Sequence, residues 1–507
     1  MYSQHTARVR SISTRDADDR TRLPPLLHDS YQPPSRSPLD TIYRKHRRKL
    51  LLLGGGLCLC AMAYRHHDSF IDTLHLTTQT PQQRPVTIAF ADVDHLNKLA
   101  ALCAGVCSSR TLDAPSDDEA VDLDALDTEL LSQWGSDGLG PFSNAYTDGS
   151  DPFVPFQRRD TDQFALGRIL THRFSRYVGL VNDTDQADFV FLPLLTREFA
   201  HCRPCEDRQG IAWDGKSIGH EITDRYVELL QTFKSRRAYP SIIVPLSLIR
   251  RDYEGNLLKK SVSKVFDKDL LPIGIEREPW YPPEIIPHFI MAPYPSFWHL
   301  RHSAELIKQS SSERRKRHKR NDAILISFNG KIVPNSPNSG KGPYNGFALR
   351  QALNDQLEAA RIAGVEGVSM LVSTPSGFSS GFDSIFEEMQ HSTFCLEPPG
   401  DSSTRKGFYD AILMGCIPVI FRPHTYIEVS TPQGPVTETS LYVPEDQVVD
   451  GSLDIVSHLR AIPARVISEK RDAMDRHRPH VQYSLDATDS QDAFAQIVTH
   501  MSKIAMS

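Results

Sequence analysis

The chain has 507 residues, more than one ordinary hydrophobic core needs and enough for two. Its 57 basic and 63 acidic residues leave a formal charge of −6, and 39% hydrophobic with 24% charged residues is the make-up of a soluble globular protein. That balance excludes a binder driven by overall positive charge, so no nucleic-acid partner is expected.

Residues 1–49 carry eleven Lys and Arg against five Asp and Glu, with many Ser and Pro, and read as a disordered cytosolic tail. The basic block Arg44–Lys49 abuts Leu50–Tyr64, fifteen residues without a charge. As a helix that run would span ~22 Å, short of a bilayer core of roughly 27–30 Å. Snorkelling by Lys49 and Arg65 would narrow the gap. The block favours a cytosolic N-terminus, so residues 50–64 are expected to be a signal anchor with the lipid bilayer as partner. A cleaved signal peptide or a buried segment is the alternative. Residues 65–85 would be a stem.

Residues 86–310 read as a first α/β domain. Val86–Phe90, Asp188–Leu192 and Ser241–Pro245 are strand-like, Ile285–Ala292 is a further apolar run, and helices are expected near 163–177 and 219–234. Asp113–Glu129 is acidic and reads as a solvated face. Residues 311–322 form a basic linker containing Glu313–Arg320; contact with an acidic polysaccharide or a nuclear import signal are its functional alternatives. Residues 323–475 read as a second α/β domain, with strands at Ala323–Phe328, Val368–Ser373 and Ile417–Phe421 and a helix near 347–362. Residues 476–507 close the chain as a helical segment. There is no internal repeat and no Gly-x-Gly-x-x-Gly fingerprint.

Of eight cysteines, Cys58 and Cys60 lie in the apolar run, and the other six are compatible with luminal disulfides. Cys395 ends one strand and Cys416 begins the next; they are either a disulfide or two reduced core residues. His201-Cys202-Arg203-Pro204-Cys205 is a single Cys-x-x-Cys, better read as a local disulfide or free thiols than as a metal site. Asn182-Asp183-Thr184 is a glycosylation sequon, usable in a secretory lumen.

The segment Phe394–Phe421 is the most informative. His391–Leu396 reads as a strand that Pro398, Pro399 and Gly400 stop. Ser402, Ser403 and Thr404 are helix N-cap types. Phe408, Ala411, Ile412 and Gly415 recur at helical spacing, with Gly415 where a C-cap belongs. A strand, loop and helix of this kind turns orphan amides and the helix dipole toward an anion such as a diphosphate. Arg405 and Lys406 add charge, and Arg405 can hold phosphate oxygens bidentately. An ordinary capped helix behind a turn is the plain alternative.

This segment closely resembles the signature of the exostosin-like glycosyltransferases, specifically the plant branch that includes xyloglucan galactosyltransferases. Pieces in the family's order continue the resemblance over roughly residues 86–500: Gly138-Leu139-Gly140-Pro141, Thr161-Asp162-Gln163-Phe164-Ala165-Leu166, Asp188–Pro193, Pro293–His299, Leu325–Gly330, Leu441–Asp446 and Asp492-Ala493-Phe494. It implies an α/β fold of two facing Rossmann-like domains (GT-B type) behind a membrane anchor. It also implies a single-pass type II protein of the Golgi membrane with its catalytic part luminal. The implied reaction is inverting transfer from a UDP-sugar, with UDP-galactose the donor typical of the branch, to a polysaccharide or glycoprotein glycan. The expected partners are that donor, the glycan acceptor and other glycosyltransferases.

On this reading the donor loop comprises Glu397, Gly400, Ser402, Ser403, Thr404, Arg405 and Lys406, with Arg405 stabilising the leaving diphosphate. Asn329, Gly330 and Lys331 follow another strand end and form a candidate second wall, or else a plain turn. Glu445 is a candidate for ribose or sugar hydroxyls, or else a surface carboxylate. No Asp-x-Asp stands in the loop, so no metal cofactor is expected and the UDP-sugar is a co-substrate. The family's glutamate after Gln163-Phe164-Ala165-Leu166 is Gly167 here, its later aromatic is Leu195, and its Gly-x-Asp-His segment has no counterpart between residues 200 and 260. The catalytic base is therefore unassigned; His172, Asp148 and Glu206 are available. A non-catalytic lectin-like or scaffold subunit of a glycosyltransferase complex is the alternative function.

Overall fold

Two five-stranded sheets, each parallel throughout, carry the computed structural model of the protein. It describes residues 84–94, 96–97, 135–142, 156–193, 212–213, 216–217, 225, 228–233, 241–247, 269–277, 288–304, 323–332, 346–372, 381–400, 403–428 and 436–506. The expected tail, the 50–64 segment and most of the stem lie outside the described residues. So do the acidic stretch, the basic linker, Cys103, Cys107, the Cys202–Cys205 motif and most of the expected helix near 219–234. Among the described residues no helix is long and apolar enough to cross a membrane.

The first half contributes β1 (Ile88–Phe90), β2 (Phe156–Arg158), α1 (Leu166–Phe174), β3 (Phe189–Phe191), β4 (Ile242–Leu246), β5 (Leu270–Gly274), β6 (Ile290–Met291) and β7 (Trp298–Leu300). The first sheet runs β1-β3-β4-β5-β6, and β2 pairs antiparallel with β7. Strands of a parallel sheet are covered on both faces and so read as continuous apolar runs. β4, Ile-Ile-Val-Pro-Leu, is buried at every position. β5 is equally buried and lies between β4 and β6, but was not legible. Its Pro272 lacks an amide N–H and weakens the strand signal; here it pairs opposite Val244.

The second half contributes β8 (Ile324–Gly330), α2 (Phe347–Ile362), β9 (Val368–Val372), α3 (Gly381–Gln390), β10 (Ser392–Leu396), α4 (Lys406–Met414), β11 (Ile417–Ile420) and β12 (Leu441–Tyr442). The sheet order is β9-β8-β10-β11-β12. The chain steps outward from β8 to β9, then returns past β8 to β10, so the winding direction reverses between β8 and β10. In open α/β sheets ligands settle in the crevice beyond the carboxyl ends of the strands at that reversal. In the first sheet the described strands follow sequence order without a reversal.

Helix α4 is buried along its length from Phe408 to Met414, which explains why that stretch is apolar apart from Asp410. It ends at Gly415, left-handed at φ 79°, with the Cys416 amide donating to the Ala411 carbonyl at 2.9 Å in a Schellman closure. Cys395 and Cys416 are joined as a disulfide between β10 and the start of β11. The bridge closes the whole unit of strand, loop and helix at its base.

Residues 84–507 form one compact unit. The C-terminal helix Ala493–Met506 returns to α1, where the Phe174 and Phe494 rings lie 5.0 Å apart. Beside them Arg173 Nη1 meets Asp492 Oδ2 at 2.8 Å, both side chains essentially inaccessible. Asp492 also accepts the Ser484 and Ala495 amides. A buried ion pair contributes little against an apolar substitute, but losing one partner strands the other charge. Arg173→Met is therefore expected to lower unfolding free energy by about 3–5 kcal/mol in chemical denaturation; a loss within about 0.5 kcal/mol, the size typical of a surface substitution, would show the pair to be dispensable.

Candidate functional site

A crevice of about 580 Å³ opens where the second sheet reverses. One side is built from strand ends and helices of that sheet: Asn329 at the end of β8, Glu397 just past β10, Arg405 to Gly407 and Asp410 at the start of α4, and Ile385, Phe386 and Met389 of α3. The other side comes from the first half: Gly138, Gly140, and Asp160 to Gln163 ahead of α1, with Phe297 ahead of β7.

The loops at the two strand ends are tied together by Arg350, a buried residue in the first turn of α2. Its Nε donates to the Pro399 carbonyl at 3.0 Å, Nη2 to Pro398 at 3.2 Å and Nη1 to Lys331 at 2.9 Å. Gly346 makes this approach possible: a Cβ there would lie 2.2 Å from the Pro399 carbonyl oxygen. Nothing in the sequence marks Arg350, because its partners are carbonyls of distant loops.

Arg405 is the cap residue of α4, extended at φ −164° and ψ 161°. Its Nη1 donates to the Pro398 carbonyl at 3.0 Å and its Nε lies 3.2 Å from Glu397 Oε2, leaving the side chain 24% exposed in the crevice. A Cβ on Gly330 would lie 3.5 Å from Arg405 Nη2. The expected caps behave differently. Ser403 and Thr404 are buried and make no capping hydrogen bond; the Ser403 carbonyl accepts from the Thr425 hydroxyl at 3.0 Å. The helix begins after them because these side chains are drawn into the interior. Ser402 lies outside the described residues.

Lys406 is held within the protein. Its Nζ is 2.6 Å from Asp410 Oδ2 and 4.2 Å from the centre of the Phe297 ring, and burial lowers its pKa. Asp410 in turn accepts from the Ser296 hydroxyl at 2.6 Å. The Ser296-Phe297 pair thus fastens the first half to α4, a role that its sequence does not advertise. Asn329 lines the crevice and donates to the Ser327 hydroxyl at 3.3 Å. Lys331 lies just beyond β8, and Gly400 places no Cβ nearer than 3.6 Å to Arg350. Glu445 lies outside the crevice lining, its carboxylate forked on Arg422.

Of the three base candidates, Asp148 and Glu206 lie outside the described residues. His172 sits in the last turn of α1, bonded to the Ser136 carbonyl at 3.0 Å and away from the crevice lining. Gly167, where the family places glutamate, is buried in α1 and its amide donates to Ser247 at 3.0 Å. Asp160 and Asp162 are carboxylates of the crevice that sequence reasoning passed over.

Residues 284–459 match the family description "Exostosin GT47 domain". The match takes in the whole second sheet together with Phe297, Glu397 and Arg405, and begins after Asp162. The chain is similar to xyloglucan galactosyltransferase MUR3 of Arabidopsis thaliana, 26% identical over 346 residues, 64% of this chain and 49% of that protein. It is likewise similar to the probable xyloglucan galactosyltransferase GT20 of the same plant, 29% identical over 331 residues, 62% of this chain and 51% of that one. The chain spans about half the length of these curated relatives. A solved structure titled as the glycotransferase of kitacinnamycin aligns over 83% of the chain at 12% identity with a TM-score of 0.24, too low to bear on the fold.

Glu397 is the unusual titrating group of this crevice. Burial pushes its carboxyl up to about 7, against the opposing pull of Arg405. Glu388 on α3 is likewise raised to about 7 by burial. The folded chain then keeps protons that the unfolded chain sheds above about pH 4.5, so their contribution to stability is full below that value and is lost as pH rises through 7. His299, buried between Thr161 and the Tyr483 carbonyl and lowered to about 4, acts in the opposite sense, but only below its ordinary value of 6.5. Melting temperature measured from about pH 6.5 to 8 should fall less steeply in Glu397→Gln than in the native chain. Equal slopes would show that the carboxyl titrates normally.

Proposed function

We propose that the crevice binds a UDP-sugar and that the chain transfers its sugar to a polysaccharide or glycoprotein glycan, with xyloglucan the first acceptor to try. One observation carries the reading: the sheet reversal, the N-terminus of α4 and the Arg405 guanidinium converge on one open crevice. The exostosin match and the xyloglucan galactosyltransferase relatives support the reaction class. The two-sheet arrangement fits a GT-B enzyme, with the donor on the second sheet and the acceptor against the first half.

In such a transfer the bond from the anomeric carbon to phosphate breaks, and charge grows on the leaving diphosphate. The first amides of α4 and the Arg405 guanidinium are fixed donors aimed at that charge. An acceptor hydroxyl attacks from the opposite face in an inverting reaction and gives up its proton to a base. Asp160 and Asp162 stand on the acceptor side and are the carboxylates suited to that role, in place of His172. Phe297 lines the same crevice with the Lys406 ammonium against its ring.

We also infer a luminal placement in the Golgi, with residues 50–64 as the anchor, from the basic block and the uncharged run that follows it in the sequence. The Cys395–Cys416 disulfide suits an oxidising compartment. Asn182 of the sequon is exposed.

UDP binding by calorimetry tests the donor half. Arg405→Ala removes a charge-assisted contact of about 1.5–3 kcal/mol, and so should weaken UDP binding by about 10- to 100-fold. Release of UDP on adding xyloglucan oligosaccharides tests the transfer half. Firm UDP binding without turnover on any glycan acceptor would move the conclusion to the non-catalytic subunit; unchanged UDP affinity in Arg405→Ala would remove the donor site from this crevice.

A further inference from the structure

The start of α4 is already covered by a carboxyl group of the protein itself. The Glu397 carboxylate lies against the first turn of α4, where a Cβ on Gly407 would come within 2.4 Å of Oε2. That is the place where orphan amides and the helix dipole attract negative charge. Glu397 is 5% exposed and takes the Nε edge of Arg405, while Nη1 of the same guanidinium is engaged by the Pro398 carbonyl. The other charged groups facing Glu397 are Lys406 and Asp410 of α4 and Arg350 of α2. Lys406 is neutralised by Asp410, and the three donor nitrogens of Arg350 each hold a loop carbonyl. A diphosphate arriving beside Arg405 therefore brings fresh negative charge to a spot whose cations are spoken for.

We propose that a nucleoside diphosphate enters this site together with one proton, which Glu397 takes up as its carboxylate yields the Arg405 edge to the phosphate. The inference rests on the donor reading above and adds to it the charge state in which the site is competent. A neutral Glu397 keeps its place beneath the helix, relieves the like-charge contact and leaves the guanidinium fork to the ligand. Burial has already brought this carboxyl near neutrality at physiological pH, so the proton is readily available to it. The ligand's apparent affinity is then reduced by the fraction of protein in which Glu397 is ionised.

The experiment uses the 507-residue chain and UDP, whose terminal phosphate, with a pKa of about 6, is ionised throughout the range chosen. Binding is measured by calorimetry between about pH 7 and 8.5, at each pH in two buffers of different ionisation enthalpy. The expected result is uptake approaching one proton per UDP near pH 8, with Kd rising toward tenfold per pH unit. Glu397→Gln, neutral at every pH, should bind UDP with no proton uptake and a flat pH profile. UDP binding by the native chain without proton uptake overturns the proposal and leaves the donor site standing. Equal uptake by Glu397→Gln overturns it too, by assigning the proton elsewhere. If the variant does not fold, the native profile decides alone. No UDP binding by either protein at any pH overturns the donor reading itself, and the proposal with it.

Discussion

One guanidinium sets the shape of the site. Arg350 reaches from α2 to carbonyls of Lys331, Pro398 and Pro399, and so fixes the loops beyond β8 and β10 against each other. Those two strands flank the reversal of the second sheet, so the clamp holds open the place where an α/β sheet receives its ligand. Both proline carbonyls are freed for it because neither residue continues the strand. Arg405, Glu397 and the start of α4 then inherit their positions from that loop, while the disulfide beneath them closes the unit at its far end.

The charges in the crevice are arranged in pairs. Arg405 faces Glu397, and Lys406 faces Asp410. A site built this way does not present two bare cations to solvent; it offers one adjustable pair at the mouth and one fixed pair beneath. The fixed pair also joins the halves of the protein, since Asp410 is held by Ser296 and Lys406 lies over Phe297. The geometry at the start of α4 and the contact with the first half are thus coupled through a single helix turn.

Much of the second sheet was legible because its strands are short apolar runs ended by Gly and Pro, and because α2 shows a regular amphipathic repeat; the helix expected near 347–362 is observed at Phe347–Ile362. Gly415 was legible for a local reason, the need for positive φ at a helix end. Arg405 was legible through charge beside a helix start. The hidden features are all long-range. Arg350 acts on backbone carbonyls that leave no trace in residue type. Lys406 looks like a free cation until Asp410, one helical turn later, is seen to hold it. Ser403 and Thr404 look like caps but are buried, since side-chain direction depends on packing rather than on residue preference. Asp160 and Asp162 sit in a loop whose place opposite α4 is set by the tertiary fold alone.

The central claim is that a nucleotide's diphosphate lies at the start of α4 under Arg405. The structure of the chain determined with UDP bound addresses it most directly. The expected result is phosphate oxygens within hydrogen-bond distance of the Arg405 guanidinium and the amides of Lys406 and Gly407, with the uridine toward Asn329 or α3. Well-ordered UDP against the first sheet, with the Arg405–Glu397 pair undisturbed, would contradict it.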